Sequence, residues 1–428
     1  MTSLYRLISP LLISLYGLLA RTVLSGKLRE TWTIRWRLKS GKPEHAFKDL
    51  DRAAIGENPI WIHAASGEFE YAKSVIRALV AAGETDIVVS YFSPTYAENI
   101  RRFPGVKASF PLPFDRYDWM LELTKWLKPR CLLIARTDAW PMLVDAAVDS
   151  KVQTLLFSAT FHAGSKRMAP WARGLTSATL SKINEIHCVS ADDASLLRKL
   201  GAQHVHVAGD SRYDQVLARL ENPKPIPEKL RCALHPTVFV AGSIWDEDVP
   251  PVLEASSGKG LTTILVPHEP NEKHLSFIEA RLSSMPRVTF ARLSKLSEPT
   301  APLDYVLVDS VGLLAELYTL GQIGFVGGSF RGSVHSVMEP LAAGCITLVG
   351  PDHLNNREAI EFQTIQVAAN ECSAVLAGQS ASDLQIKLKL AIETLKSSSR
   401  INETITEEVR RRGGATASVI SWIKAQRN

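Results

Sequence analysis

The sequence predicts an α/β protein built from two successive blocks, each a doubly wound parallel sheet. Short apolar runs typical of buried strands alternate with helical segments along most of the chain, which is the pattern of such sheets. A proline-rich stretch without apolar periodicity, residues 221–227, separates the blocks. With 428 residues, 46% hydrophobic and 22% charged, the chain holds enough apolar material for two domains of ordinary size.

The first block, residues 46–221, contains six strand candidates. Helical segments such as Glu70–Ala82 and Asp192–Leu200 alternate with them. The strand candidates are Ile60–Ala64, Ile87–Val89, Leu132–Ile134, Thr154–Phe157, Ile186–Val189 and Val205–Ala208. Ligands of parallel α/β sheets bind at the carboxyl ends of strands, so we expect functional residues directly after these runs and a cleft between the two blocks.

The second block, residues 237–403, follows a linker at 222–236. A final segment, 404–428, is expected to be helical at Ile405–Lys424 and to break at Gly413-Gly414. The strand candidates of the block are Val238–Ala241, Thr263–Val266, Tyr305–Val308, Ile323–Val326 and Ile346–Val349.

Residues 1–45 are expected to form a membrane anchor with a basic flank. The apolar segment Leu4–Leu24 is about long enough to span a bilayer. The basic residues that follow would stay on the cytoplasmic side and suit anionic headgroups. A cleaved signal peptide is disfavoured because no small-x-small site precedes the basic run. Pro10 and Arg6 leave both a spanning helix and an in-plane amphipathic helix open.

Composition excludes several classes of function. The net charge of +5 is too diffuse for nucleic-acid binding, and no nucleic-acid motif is present. The five cysteines are scattered without a C-x-x-C pair, which indicates reduced, buried thiols and no zinc site. No G-x-G-x-x-G follows the first strand, which argues against a dinucleotide-dependent oxidoreductase.

The segment Gly327–Pro351 is the most informative motif. An apolar strand runs into Gly327-Gly328-Ser329, and His335 and Glu339 then open a helix. A glycine turn at a helix start favours an anion through free N–H groups and the helix dipole, and a carboxylate behind it suits ribose hydroxyls. We therefore predict a nucleotide site here, against the alternative of an ordinary strand–turn–helix unit.

A second motif follows the first strand, where small residues lead from His63 to Ser66, Gly67 and Glu68. A carboxylate placed there can accept a proton from an attacking hydroxyl, as a general base does. The alternative is that Glu68 only caps its helix, because acidic residues are favoured in the first turn. His63 is a candidate for orienting a substrate, although a histidine at a strand end is more often structural.

These two motifs resemble the 3-deoxy-D-manno-octulosonic acid (Kdo) transferases of lipopolysaccharide synthesis, which have the GT-B fold of two Rossmann-like domains. The family pattern G-G-S, H-N-x-x-E-P, G-P-x-x-x-N matches at Gly327–Ser329, at His335 with Glu339, and at Asn355. The family's asparagine after the histidine is Ser336 here. The family segment H-A-x-S-x-G-E matches with one residue missing. The resemblance places the catalytic base at Glu68, with Glu70 as the fallback, and puts His63 and Ser66 beside the acceptor.

The resemblance covers nearly the whole chain. Arg136 and Asp138 stand in the family's E-T-E-L-W-P, where Arg136 replaces the first glutamate. Arg136 either binds an anionic sugar or is a solvated residue at a strand end. Arg212 stands where the family has a basic residue near the donor phosphate. Further donor contacts are expected at Gly242, Ser243 and His268, and Trp245 replaces a histidine of the family.

The resemblance implies an inverting, metal-independent transferase without a cofactor, held at the cytoplasmic face of the inner membrane of a Gram-negative bacterium. The first domain would bind the acceptor, a lipid A precursor (lipid IVA), and the second would bind the donor CMP-Kdo. Its partners would be these substrates and membrane lipid. Two alternatives stay open: a GT-B transferase using another nucleotide sugar such as a UDP-sugar, and a non-catalytic binding protein of the envelope.

Overall fold

The computed structural model describes residues 1–23, 55–162, 164–297, 301–368 and 372–426. Two compact units are present. The first consists of Met1–Gln215 with Arg412–Asn428, and the second of Val216–Arg411. Each unit contains one parallel sheet, which confirms the predicted α/β class with two parallel sheets. The basic flank of the predicted anchor, within residues 27–42, lies outside the described residues.

The sheet of the first unit has seven parallel strands in the order β3-β2-β1-β4-β5-β6-β7. Their bounds are β1 Ile60–His63, β2 Ile87–Tyr91, β3 Ala108–Pro111, β4 Cys131–Ala135, β5 Gln153–Ala159, β6 Glu185–Cys188 and β7 Val205–Val207. The central strands are buried on both faces and therefore read as continuous apolar runs. The edge strand β3 was not predicted, because its sequence, Ala-Ser-Phe-Pro, contains no apolar run.

Helices cover both faces of this sheet. In chain order they are α1 Thr2–Val23, α2 Phe69–Ala81, α3 Ala97–Arg101, α4 Tyr117–Leu127, α5 Pro141–Asp149, α6 Pro170–Leu180 and α7 Ala191–Lys199, followed by α8 Ser211–Glu221, which begins in the first unit and ends in the second. One core lies under α4 to α7 and the other under α2. Within the part of the chain that the structure describes, no helix has both the length and the apolar character needed to cross a membrane.

The sheet of the second unit also has seven parallel strands, in the order β10-β11-β9-β8-β12-β13-β14. Their bounds are β8 Val238–Ile244, β9 Thr262–Pro267, β10 Phe290–Arg292, β11 Tyr305–Leu307, β12 Ile323–Val326, β13 Ile346–Val349 and β14 Val375–Ala377. The two strands absent from the prediction, β10 and β14, are three-residue strands at the two edges of this sheet.

The helices that continue the chain are α9 Glu228–Cys232, α10 Val249–Ser256, α11 Glu272–Ser284, α12 Leu314–Tyr318, α13 Met338–Ala342, α14 Arg357–Phe362, α15 Ala381–Ser397, α16 Ile401–Arg411 and α17 Ala415–Ala425. The break between α16 and α17 lies where Gly413-Gly414 predicted it. Gly414 has a φ of +99°, and the N–H groups of Gly414 and Thr416 donate to Asp214. Because α17 packs on α2, it belongs to the first unit, whereas α16 belongs to the second.

The strand order of each sheet reverses at one place. In the first sheet the reversal separates β1 from β4, and in the second it separates β8 from β12. Ligands of open parallel sheets bind at such topological switch points, outside the carboxyl ends of the strands. The chain segments that follow β1, β4, β8 and β12 therefore hold the candidate site residues.

Candidate functional site

Glu68 follows β1 at the switch point of the first sheet. Its Oε2 accepts a hydrogen bond from the Ser66 N–H at 3.0 Å, and its side chain is 18% exposed. It makes no capping hydrogen bond to α2, so the helix-cap alternative does not describe its contacts. The fallback candidate, Glu70, is instead held in an ion pair with Lys73 at 2.6 Å. The geometry thus favours Glu68 over Glu70 as an available carboxylate.

Arg136 follows β4, on the other side of the same switch point. Its Nη1 lies 3.8 Å from Glu68 Oε1, and its side chain is 43% exposed. Its φ of +63° is uncommon for a residue with a side chain, and the bond from its N–H to the Phe157 carbonyl holds this conformation. Strained backbone of this kind clusters at functional sites.

Asp138 lies beside this pair and has an altered acidity. Burial raises its pKa to about 6, the negative charge of Glu68 adds to the rise, and Arg167 and Arg136 oppose it. Arg167 Nη2 lies 3.4 Å from Asp138 Oδ1. Two carboxylates and two guanidiniums thus meet at one switch point, and a carboxyl with a pKa near neutrality is typical of acid–base sites.

Tyr71 joins the predicted residue Arg212 to this cluster. The guanidinium carbon of Arg212 lies 4.4 Å from the centre of the Tyr71 ring, and that of Arg136 lies 5.6 Å from it. Arg212 also forms an ion pair with Asp210 at 2.8 Å. The aromatic ring therefore holds two cations in the first unit near Glu68, an arrangement suited to an anionic substrate group.

His63, a predicted acceptor contact, lies in the interior of the first sheet. His63 is fully buried at the end of β1, and its Nδ1 lies 2.9 Å from Ser90 Oγ. The same hydroxyl accepts a hydrogen bond from the Trp61 indole at 2.8 Å. His63 is therefore a structural residue of the sheet. Ser66 is only partly buried, and its backbone positions Glu68.

In the second unit, three aromatic rings follow the carboxyl ends of three adjacent strands. Trp245 follows β8, His268 follows β9, and His335 lies in the loop after β12. The centres of the Trp245 and His268 rings are 4.4 Å apart, and those of His268 and His335 are 4.5 Å apart with planes 5° from parallel. The predicted donor residues His268 and His335 are thus brought together, with Trp245 stacked on His268.

Asp248 corrects the expected role of the glycine turn. This fully buried carboxylate accepts hydrogen bonds from the N–H groups of Gly328 at 2.7 Å and Phe330 at 3.1 Å, and from that of Trp245 at 2.9 Å. The Gly327 N–H donates to the Gly242 carbonyl at 2.9 Å. The amides of Gly327 and Gly328, predicted to be free for a phosphate, are therefore already satisfied within the protein.

Ser329 and Gly242 also have structural roles rather than the predicted ligand contacts. Ser329 is fully buried and donates to the Val326 carbonyl. Gly242 lies inside β8, where an added Cβ would be 2.1 Å from Tyr318 Oη. Ser243, with a φ of +53°, lies at the register shift of that strand. The predicted Gly-Ser turn is thus part of an irregular strand.

Glu339 and Asn355 complete the predicted donor residues. Arg219 Nη1 lies 3.4 Å from Glu339 Oε1, and Arg219 Nη2 lies 2.9 Å from the buried Glu316. Burial raises the pKa of Glu339, against the opposing charge of Arg219. Asn355 is exposed and donates to Ser333 Oγ at 2.6 Å. Among the described residues, no cluster of three or more His, Cys, Asp or Glu side chains could hold a metal ion.

Sequence reasoning missed four residues of these sites. They are Tyr71, Arg167, Arg219 and Asp248. Asp248 lies only three residues after Trp245, in an acidic run directly behind a strand, and that position was a usable signal. The other three contact the predicted residues across long stretches of sequence, so no local pattern reveals them.

The sequence is similar to those of known proteins. The family described as 3-deoxy-D-manno-octulosonic-acid transferase (kdotransferase) matches residues 34–215. A 3-deoxy-D-manno-octulosonic acid transferase of Bordetella pertussis is 25% identical over 365 residues, covering 80% of each chain. A transferase of the same name from Aquifex aeolicus is 27% identical over 328 residues, covering 73% of this chain and 80% of its own.

Solved structures share the fold. UDP-GlcNAc 2-epimerase from Neisseria meningitidis superimposes with a TM-score of 0.58 at 15% identity, covering 85% of this chain and 98% of its own. MurG from Acinetobacter baumannii gives a TM-score of 0.53 at 11% identity, covering 86% and 100%. These structures show the fold alone, whereas the family match over residues 34–215 and the sequence relatives make the chain similar to the 3-deoxy-D-manno-octulosonic acid transferases and identify it as a glycosyltransferase enzyme.

Proposed function

We propose that this enzyme transfers Kdo from CMP-Kdo to a lipid A precursor at the cytoplasmic face of the inner membrane. The observation that carries the proposal is the cluster of Glu68, Arg136 and Asp138 at the switch point of the first sheet, in a chain similar to the Kdo transferases. The cluster combines an accessible carboxylate with cations. A carboxylate can deprotonate a sugar hydroxyl, and cations beside it can hold an anionic group of the substrate.

In this scheme Glu68 accepts the proton of the attacking acceptor hydroxyl. The hydroxyl oxygen bonds to the anomeric carbon of Kdo while the bond from that carbon to the phosphate oxygen breaks, and the electron pair leaves with CMP. The transition state resembles an oxocarbenium ion, as in glycosyl transfer generally. A single displacement of this kind inverts the anomeric configuration.

Anionic groups of the substrates are proposed to bind Arg136 and Arg212, the two cations that lie over the Tyr71 ring. A guanidinium can donate two parallel hydrogen bonds to a phosphate or a carboxylate. Asp138 and Ser66 stay candidates for contacts with the acceptor. Pre-oriented donors near the developing charge are the usual source of electrostatic catalysis. No metal or cofactor enters this scheme.

The second unit is proposed to bind the nucleotide. Glu339, half-buried beside Arg219, would accept hydrogen bonds from the ribose hydroxyls. His335, His268 and Asn355 are the remaining donor candidates, and all three are at least partly exposed. In place of the expected amide cradle, Asp248 fixes the turn on which His335 depends.

Helix α1 is proposed to lie in the plane of the membrane surface. Its leucines Leu4, Leu7, Leu11, Leu12 and Leu15 are between 51% and 77% exposed, whereas Thr2 and Ser9 are buried. Tyr5 packs against the core of the first unit. A helix with one face held by protein and one row of exposed leucines suits the boundary between headgroups and acyl chains. A lipid acceptor would then meet the enzyme in that plane.

The donor and acceptor are tested by incubating the purified protein with CMP-Kdo and a tetraacylated lipid A precursor, followed by mass spectrometry. A gain of one or more Kdo masses supports the proposal. No gain, with an active relative as positive control, refutes it for this pair of substrates. Because Trp245 and Ser336 depart from the family pattern, a panel of UDP-sugars is the second arm of the assay.

The role of Glu68 is tested with a matched pair of single substitutions, at Glu68 and at the neighbouring Glu70. Glu68→Gln removes the base and should lower kcat by about 10²–10⁴-fold. Glu70→Gln changes a neighbouring carboxylate that is held by Lys73 and should stay within a few-fold of wild type. Equal losses in the two variants would refute the assignment, as would an unimpaired Glu68→Gln. CMP binding should persist in both, which separates catalysis from folding.

A further inference from the structure

The hydrogen bond between Trp245 and His335 fixes the protonation of the histidine. The Trp245 Nε1–H donates to His335 Nε2 at 3.0 Å. An indole N–H is a donor only, so Nε2 must present its lone pair. An imidazole whose Nε2 accepts a hydrogen bond carries its single proton on Nδ1 and is neutral. His335 is therefore held in one tautomer, with Nδ1–H as its donor.

The surroundings of His335 favour the same state. His268 stacks on the ring at 4.5 Å, and Arg331 lies over Trp245 with its guanidinium carbon 3.9 Å from the ring centre. Burial and the charges of His268 and Arg331 lower the pKa of His335. Three acids that follow Trp245 have other partners: Asp246 lies 3.2 Å from His274, Glu247 pairs with Arg331, and Asp248 accepts three backbone N–H groups.

Backbone contacts hold His335 in place. Its N–H donates to the Gly327 carbonyl at 3.1 Å, and its carbonyl accepts from Asn356 Nδ2 at 3.0 Å. A Cβ on Gly328 would lie 3.2 Å from His335 Cδ2, so this glycine also leaves room for the ring. The imidazole is thus fixed in position and in tautomer, while it stays half-buried and reachable by a ligand.

The arrangement lies at the switch point of the second sheet. Trp245 and His335 follow β8 and β12, the two strands on either side of the switch point of the second sheet. Among the described residues, nothing accepts a hydrogen bond from His335 Nδ1. We propose that Trp245 is a positioning residue that keeps His335 as a neutral Nδ1–H donor for an anionic oxygen of the nucleotide-sugar donor. The inference rests on the proposed nucleotide site of the second unit.

The consequence is that the affinity of the site for the nucleotide sugar does not depend on protonation of His335. A neutral N–H binds an anionic oxygen by a single hydrogen bond, whereas an imidazolium would add a full positive charge and make binding tighten as the pH falls. The charge matters for turnover as well, because a fixed cation would also hold the departing CMP more tightly.

The tautomer is tested first, without any substrate. Two-bond ¹H–¹⁵N NMR spectra of the full-length protein, with His335 assigned through His335→Gln, should show Nδ1 protonated and Nε2 unprotonated at pH 7. In Trp245→Phe, which keeps a ring for stacking but has no donor, the other tautomer or the imidazolium should become populated. A protonated Nε2 in the wild type would overturn the inference, whatever the donor proves to be.

Binding of CMP as a function of pH supplies the second test. Because the ionisation of CMP is common to all variants, the informative quantity is the ratio of the Kd of Trp245→Phe to that of the wild type. This ratio should fall several-fold from pH 8 to pH 5.5, and the fall should vanish when His335→Gln is added to both proteins. A fall that survives His335→Gln, for which His268 would be responsible, refutes the inference, and so does a flat ratio.

Control arms separate the sources of the effect. Cytidine lacks the phosphate, so its ratio should be flat if the phosphate is the group bound by His335. If the carboxylate of the sugar is that group, CMP should give a flat ratio and CMP-Kdo the pH-dependent one, which supports the inference through the other anionic oxygen. Absence of all nucleotide binding, with the NMR tautomer as expected, would refute the proposed nucleotide site and leave the Trp245–His335 arrangement established.

Discussion

Replacing Asp138 with asparagine should stabilise the protein at neutral pH. The pKa of Asp138 rises from its ordinary 3.8 to about 6 in the folded state, and its side chain is only 15% exposed. A carboxyl with a raised folded pKa binds its proton more tightly in the folded than in the unfolded chain. Stability is therefore lost as the pH rises through the interval from 3.8 to about 6. The rise corresponds to about 3 kcal/mol at pH 7.

Asp138→Asn removes the ionisation and should recover up to about 3 kcal/mol at pH 7.5, less the cost of turning an amide N–H toward Arg167. For a unit of this size that gain raises Tm by about 6–12 °C in the transition that unfolds the first unit. At pH 4 the difference should nearly vanish. Thermal unfolding at both pH values measures it, with the exposed Asp192→Asn as control. An Asp138→Asn variant less stable than wild type at pH 7.5, or equally stabilised at both pH values, would refute the reasoning.

The same variant should lose activity, and its pH–rate profile should lack the inflection near pH 6 that the ionised Asp138 gives the wild type, as measured by initial rates between pH 5 and 8. Asp248→Ala should cost about 2–4 kcal/mol of stability, because it leaves three backbone N–H groups, among them that of the buried Gly328, without an acceptor, and urea unfolding together with CMP binding tests this. Gly242→Ala should cost about 1–3 kcal/mol, because its Cβ would lie 2.1 Å from Tyr318 Oη, and Tyr318→Phe in the same chain should recover part of the loss in thermal unfolding.

The sequence predicted the central strands well because buried parallel strands are continuous apolar runs, and β12 and β13 were placed with their observed bounds. Edge strands such as β10 and β14 are short and lack that signal. Strand order was beyond prediction, and so was the meeting of Glu68 with Arg136, which needs β1 beside β4. The glycine turn shows a different limit. Its pattern is that of a phosphate cradle, but Asp248, distant in sequence, already occupies the amides.

Arg136 stands where the Kdo transferases that this chain resembles have a glutamate, and substituting it tests whether the chain binds an anion there. Substituting Arg136 should affect stability and activity differently. Its φ of +63° disfavours any side chain, so removing the side chain does not harm the fold, whereas its guanidinium lies 3.8 Å from Glu68, where a substrate anion would bind. Arg136→Gly relieves the backbone strain and should stabilise the fold or leave it unchanged, within about 1 kcal/mol. If the guanidinium binds a substrate anion, the same variant should raise KM or lower kcat at least ten-fold, and Arg136→Lys should recover only part of the loss because an ammonium lacks the planar fork. A solvated arginine at a strand end predicts unchanged kinetics in both variants, so a stable Arg136→Gly protein with wild-type kcat/KM would exclude the anion-binding role.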